Sequence, residues 1–69
     1  MKTLNFANNL KTSLTLNNKT QKELADFLGT TQQTVSRWIS AVNEPDFATL
    51  LKICAFLNET PNSILGYDE

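Results

Sequence analysis

Apolar residues recur every three to four positions along the chain, in clusters separated by short polar stretches. Phe6, Leu10 and Leu14 repeat at steps of four, with Ala7 beside them. That spacing predicts a first helix over 3–16, capped by Thr3 or Asn5. It should stop at Asn17 and Asn18, since Asn tolerates the left-handed region. Leu24, Ala25 and Leu28 share the next face, over 21–28. Thr20 is a good N-cap, Glu23 three residues on completes a capping box, and Gly29 suits a left-handed end. Thr31 can cap a third helix, over 32–40, in which Val35, Trp38 and Ile39 lie at i, i+3 and i+4. A loop over 41–45 follows, because Pro45 disfavours helix at Glu44. Asp46 can cap a fourth helix from Phe47 to Leu57. Its predicted inner stripe is Phe47, Leu50, Leu51, Cys54 and Leu57, flanked by Ile53 and Phe56. Asn58 ends it. Thr60 and Pro61 open a short fifth helix that closes near Gly66. Strand-like alternation, repeats and linkers are lacking, so the pattern predicts one all-α domain of five helices.

The outward face of the third helix differs from the others. It carries Gln32, Gln33, Ser36, Arg37 and Ser40: one cation, no long aliphatic residue, and side chains that both donate and accept hydrogen bonds. Residues 20–39 resemble the helix-turn-helix of the phage repressor and Cro family. Gln21, Leu24, Ala25, Leu28, Gly29, Gln32, Val35, Ser36, Arg37 and Trp38 carry the likeness. Downstream, Pro45, Leu50, Ile53, Leu57, Pro61, Ile64, Leu65 and Gly66 extend it, so that it covers the chain from about Leu10 onward. A lone helix-turn-helix pattern is a weak signal; with the later helices at the expected spacing it is strong. The resemblance implies a compact, five-helix, lambda-repressor-like domain. It also implies sequence-specific binding of double-stranded DNA by a transcriptional regulator, a repressor or Cro-like switch protein.

Gln is a two-pronged group suited to adenine N6 and N7, and Arg to guanine O6 and N7. By resemblance Gln32 and Gln33 touch bases, Arg37 touches bases or phosphate, and Ser36 lies close to the groove floor. Gln21 would take a phosphate at the start of the second helix and brace Gln32. Lys19, Lys22, Thr31 and Ser40 are further phosphate candidates, as is Asn43 in a loop that lies along the backbone in this family. Taken singly, each of these residues also fits an ordinary solvated surface. With so few cations one copy should bind weakly, so a homodimer on a two-fold operator is expected, its half-sites about 34 Å apart. Leu51 and Phe56 are candidate interface residues; the rim of the monomer core is the other place for Phe56.

Three departures from the family pattern carry structural expectations. Leu14 and Ile39 stand where many members have a semi-buried Arg–Glu ion pair. Replacing both partners with hydrocarbon is often neutral or stabilising, and the joint change suggests that the two side chains touch. Ala41 replaces a Gly and Val42 a Lys after the third helix. Ala in a left-handed cap costs about 1 kcal/mol, so the loop is expected to take another path. Glu59 replaces a small apolar residue, so the entry to the fifth helix is expected to be looser.

Composition narrows the function classes. Sixty-nine residues, 41% hydrophobic, make one small core. The net charge is −1, yet it is unevenly spread. Residues 1–42 hold Lys2, Lys11, Lys19, Lys22 and Arg37 against Glu23 and Asp26, a net of +3. Residues 43–69 hold Lys52 against Glu44, Asp46, Glu59, Asp68 and Glu69, a net of −4. The basic part therefore contains the reading helices, and the acidic half suits a protein partner or plain solubility. With no histidine and a single cysteine, Cys54, neither an intramolecular disulfide, a zinc cluster nor a His-based triad can be built. No cofactor is called for, and an enzyme is not expected. No signal-peptide pattern occurs, and no apolar run approaches the ~20 residues of a membrane helix; a cytoplasmic protein is the default. The alternative function is a protein-interaction module or antitoxin that retains the fold.

Overall fold

The computed structural model describes residues 5–66. It contains five helices: α1 (Phe6–Leu16), α2 (Gln21–Leu28), α3 (Gln32–Ile39), α4 (Phe47–Leu57) and α5 (Pro61–Leu65). Among the described residues there is no strand. α2 packs on α3 and α4, α1 on α3 and α5, and α4 on α5. One core results, and every helix supplies part of its centre. Leu10, Leu24, Val35, Ile53, Leu57 and Ile64 are all under 2% exposed.

The helix ends follow from local chemistry repeated along the chain. Thr20, Thr31, Asp46 and Thr60 each sit in extended backbone and accept a hydrogen bond from the N–H three residues on. The Thr20 capping box is complete, since Glu23 Oε1 also accepts from the Thr20 N–H at 2.8 Å. α1 lacks such a cap: Asn5 precedes it without a side-chain bond, and Thr3 lies outside the described residues. All five helices end on a left-handed residue, namely Asn18, Gly29, Ala41, Asn58 and Gly66. After α1 to α4 the next N–H reaches back to a carbonyl five residues earlier, at 2.8–2.9 Å. This closure satisfies carbonyls that the helix leaves without partners.

The structure departs from expectation at five points, the first being that α1 begins at Phe6 and not at residue 3. The third helix stops at Ile39, with Ser40 as its C-cap, not at residue 40. The loop after it does not avoid the left-handed region, because Ala41 adopts φ 63°. Its closure pairs Val42 N–H with Arg37 O at 2.9 Å and Ala41 N–H with Trp38 O at 3.1 Å, and those bonds outweigh the strain of a methyl group there. The entry to α5 is not loose. Glu59 Oε2 accepts from Ser13 Oγ, and Oε1 from Ser63 Oγ, both at 2.8 Å. The carboxylate thereby ties α5 to Ser13, the one buried polar residue of α1. In α4, Phe47 and Leu51 lie outside the core, 70% and 43% exposed, while Ile53 is fully buried. Apolar residues surround that helix almost completely, so periodicity could not choose its inner face.

Leu14 is buried, Ile39 is half-buried, and both line a single cleft between α1 and α3. That place fits two apolar side chains, whereas an Arg or a Glu at one of the two positions alone would lack a partner there.

Candidate nucleic-acid interface

α3 is held by its apolar side. Val35 is fully buried and Trp38 is 6% exposed, and Ile39 packs against the same core. The helix is thereby fixed in rotation, and its other side is presented to solvent. Gln32, Gln33 and Arg37 are exposed there, and Ser36 is half-buried beneath them. Neither glutamine is covered by another part of the described chain. Arg37 forms no ion pair among the described residues, and its backbone carbonyl anchors the following loop through Val42 and Asn43. Ser40 and Asn43 are exposed at that end of the helix.

The turn before α3 is set by the αL residue Gly29 and by Thr31. The Thr31 hydroxyl accepts the Thr34 N–H at 3.2 Å and lies 3.0 Å from the Thr34 hydroxyl. It is thus engaged in capping, while its residue remains exposed at the start of α3. At the start of α2 the capping box uses the N–H groups of Thr20 and Glu23. Those of Gln21 and Lys22, in the first turn, have no acceptor within the helix. Such a turn favours an anion.

Gln21 and Gln32 come together. Both line a cleft of about 360 Å³, with Lys11, Leu14, Thr15, Lys19, Thr20 and Ile39. No carboxylate lines it. The two lysines singled out beside Gln21 have resting partners. The Lys22 ammonium lies 3.4 Å from Asp26, an exposed pair one turn apart. The Lys19 ammonium stands 5.3 Å from the centre of the Phe56 ring. An exposed pair of that kind is worth less than about 1 kcal/mol and yields readily to a phosphate. Lys11 and Thr15 were not among the sequence candidates, since they lie on α1, outside the helix-turn-helix. A signal was present all the same: Lys11, Leu14 and Thr15 fall at i, i+3 and i+4, one helical face.

Away from this face, Phe56 is half-buried and stacks in a tilted arrangement on Phe27, ring centres 4.7 Å apart. It belongs to the rim of the monomer core, against which it packs. Leu51 remains exposed. Cys54 is buried, and burial first, then the nearby Glu59, pushes its thiol up. A raised thiol is a poor nucleophile. Among the described residues no group of three His, Cys, Asp or Glu side chains could hold a metal ion. No helix among them is long and apolar enough to cross a membrane.

Comparison with known proteins agrees with this arrangement. A helix-turn-helix family pattern matches residues 10–64. Among solved structures, a transcriptional regulator from Listeria innocua superposes with a TM-score of 0.90 at 20% identity, over 99% of this chain and 64% of that one. The chain thus spans less than two thirds of that regulator's length. The P22 c2 repressor, in complex with a synthetic operator, superposes with a TM-score of 0.83 at 19% identity, over 99% of this chain and all of the repressor's. The restriction-modification controller protein C.AhdI from Aeromonas hydrophila gives 0.79 at 20% identity, over 88% of each chain. Comparison with curated proteins finds no match. At these identities the superpositions establish the fold, and the family match covers most of the sequence. The chain belongs to the helix-turn-helix family of the phage repressor and Cro type, a family of DNA-binding transcriptional regulators.

Proposed function

We propose that this chain reads double-stranded DNA through the major groove and acts as a transcriptional regulator of the repressor or Cro-like kind. The observation that carries this reading is the outward face of α3. Gln32, Gln33 and Arg37 stand exposed on a helix whose other side is locked into the core. An adenine offers the matching acceptor and donor to Gln, and a guanine two acceptors to Arg. Ser36 lies at the floor of that face. Gln21 receives a backbone phosphate at the start of α2 and steadies Gln32 across the cleft that both line. Lys19, Lys22, Thr31, Ser40 and Asn43 contact the backbone around it. The activity is binding and not catalysis, and its place is the cytoplasm, where the DNA is.

Two copies act together on a two-fold operator. Leu51 is the better interface residue of the two candidates, because Phe56 is already occupied by Phe27 and Lys19. Phe47, one turn before Leu51 on the same side of α4, widens that apolar patch. Selection of bound duplexes from a random pool tests the whole reading. A common sequence with two-fold symmetry is the expected result, and recovery of unrelated sequences overturns it. Salt separates the rival reading, a protein-interaction module or antitoxin that retains the fold and meets its partner through an apolar face. DNA affinity falls steeply with added salt, whereas an apolar protein interface does not respond in that way.

A further inference from the structure

We infer that Lys11, on α1, is a DNA-phosphate contact that fixes how the reading helix sits in the groove. The inference rests on the DNA-binding reading above. Three lysines stand near the start of α2, and the structure treats them differently. Lys22 is paired with Asp26. Lys19 is held over the Phe56 ring. Lys11 has neither an ion pair nor a ring contact among the described residues, and its side chain is exposed. It lines the same cleft as Gln21 and Gln32, so an uncommitted cation borders both the phosphate-facing turn of α2 and the first base-reading residue of α3.

The rest of the cleft supports an anion as occupant. Leu14 and Ile39 make its floor apolar, and no acidic side chain lines it. With the floor uncharged, the attraction for a phosphate comes from the rim. Thr15 donates its hydroxyl to the Lys11 carbonyl at 3.1 Å, which anchors the backbone and leaves the ammonium free to swing. A strand passing the first turn of α3 would bring one phosphate to this rim. Charge at that point acts on every sequence alike, because phosphates are the same along the duplex. Lys11 is therefore a positioning residue and not a base reader.

The experiment measures affinity against salt for the unaltered chain, K11Q, K11R and K52Q, on the selected duplex and on an unrelated one. Each phosphate neutralised contributes about 0.9 to the slope of log affinity against log salt. K11Q should lose about that much slope, so its deficit shrinks about 3.5-fold between 50 and 200 mM salt. The loss should be equal on both duplexes. K11R should restore the slope, and K52Q, altered on α4, should not change it. As a second measurement, single backbone phosphates are replaced by neutral methylphosphonates. At one position the substitution should weaken the unaltered chain and leave K11Q indifferent. Unchanged slope in K11Q, or a loss confined to the selected duplex, overturns the inference while the DNA-binding reading stands. Failure of the unaltered chain to bind any duplex overturns both.

Discussion

Gln33 makes a clean test of the proposed reading face, since its side chain is exposed. Gln33→Ala should weaken operator binding by about 1–3 kcal/mol. Its melting temperature should stay put, as surface changes of this kind are worth less than about 0.5 kcal/mol. Unaltered operator affinity would remove Gln33 from the site. Asp46 offers a test by pH. Hydrogen bonding from the Thr49 side chain, then from its backbone N–H, holds the carboxyl below its usual value of 3.8. A lowered carboxyl stabilises the fold above the usual range, and that support fades as pH falls through the lowered value. Asp46→Asn keeps a capping acceptor but has nothing to titrate. The advantage of the native chain over this variant should hold at neutral pH and shrink below pH 3.8. A gap that does not change on acidification would rule the contribution out. Some of these residue roles were readable beforehand, because caps act over three positions. Glu59 was not, since its partner Ser13 stands 46 residues away on another helix. Nothing local in the sequence announces such a bond.

Helix boundaries were legible for the same short-range reason, and helix faces only where polar residues alternate with apolar ones. α3 has two unlike sides, so Val35 and Trp38 could be placed inside and the glutamines outside. α4 lacks that contrast, and Phe47 and Leu51 were placed inward when they face solvent. The close of α3 gives a further lesson. A left-handed Ala41 was held to be too costly, yet the closing bonds to Trp38 and Arg37 impose it. Ala41→Gly should therefore raise stability by about 1 kcal/mol, or roughly 4–8 °C in a domain of this size. A thermal melt that does not move would show that the turn is already relaxed.

At the scale of the whole molecule, α1 and α3 meet at a junction that joins distant parts of the chain. Leu14 is buried there and Ile39 shares its cleft. Leu14→Arg alone would place a cation against hydrocarbon with no carboxylate to meet it, and should lower the melting temperature by about 10 °C or more. Adding Ile39→Glu should recover part of the loss. A single variant that melts like the native chain would show that the two positions are not coupled. The fold class was legible at this scale because five short helical segments, α4 apolar nearly all round, leave few ways to bury their apolar residues across short connections. Of the cleft, the pairings of Gln21 with Gln32 and of Leu14 with Ile39 were expected from the resemblance, while Lys11 and Thr15 were missed because they lie on α1, outside the helix-turn-helix. One measurement of the molecule sets a limit on what it can recognise. α3 has eight residues, a rod about 12 Å long, and successive base pairs lie about 3.4 Å apart. It can inspect about four of them, a word that recurs by chance every few hundred positions in any genome. A lone copy would be distracted almost everywhere, and only when two such words must be matched at a set interval does the address become rare enough to find.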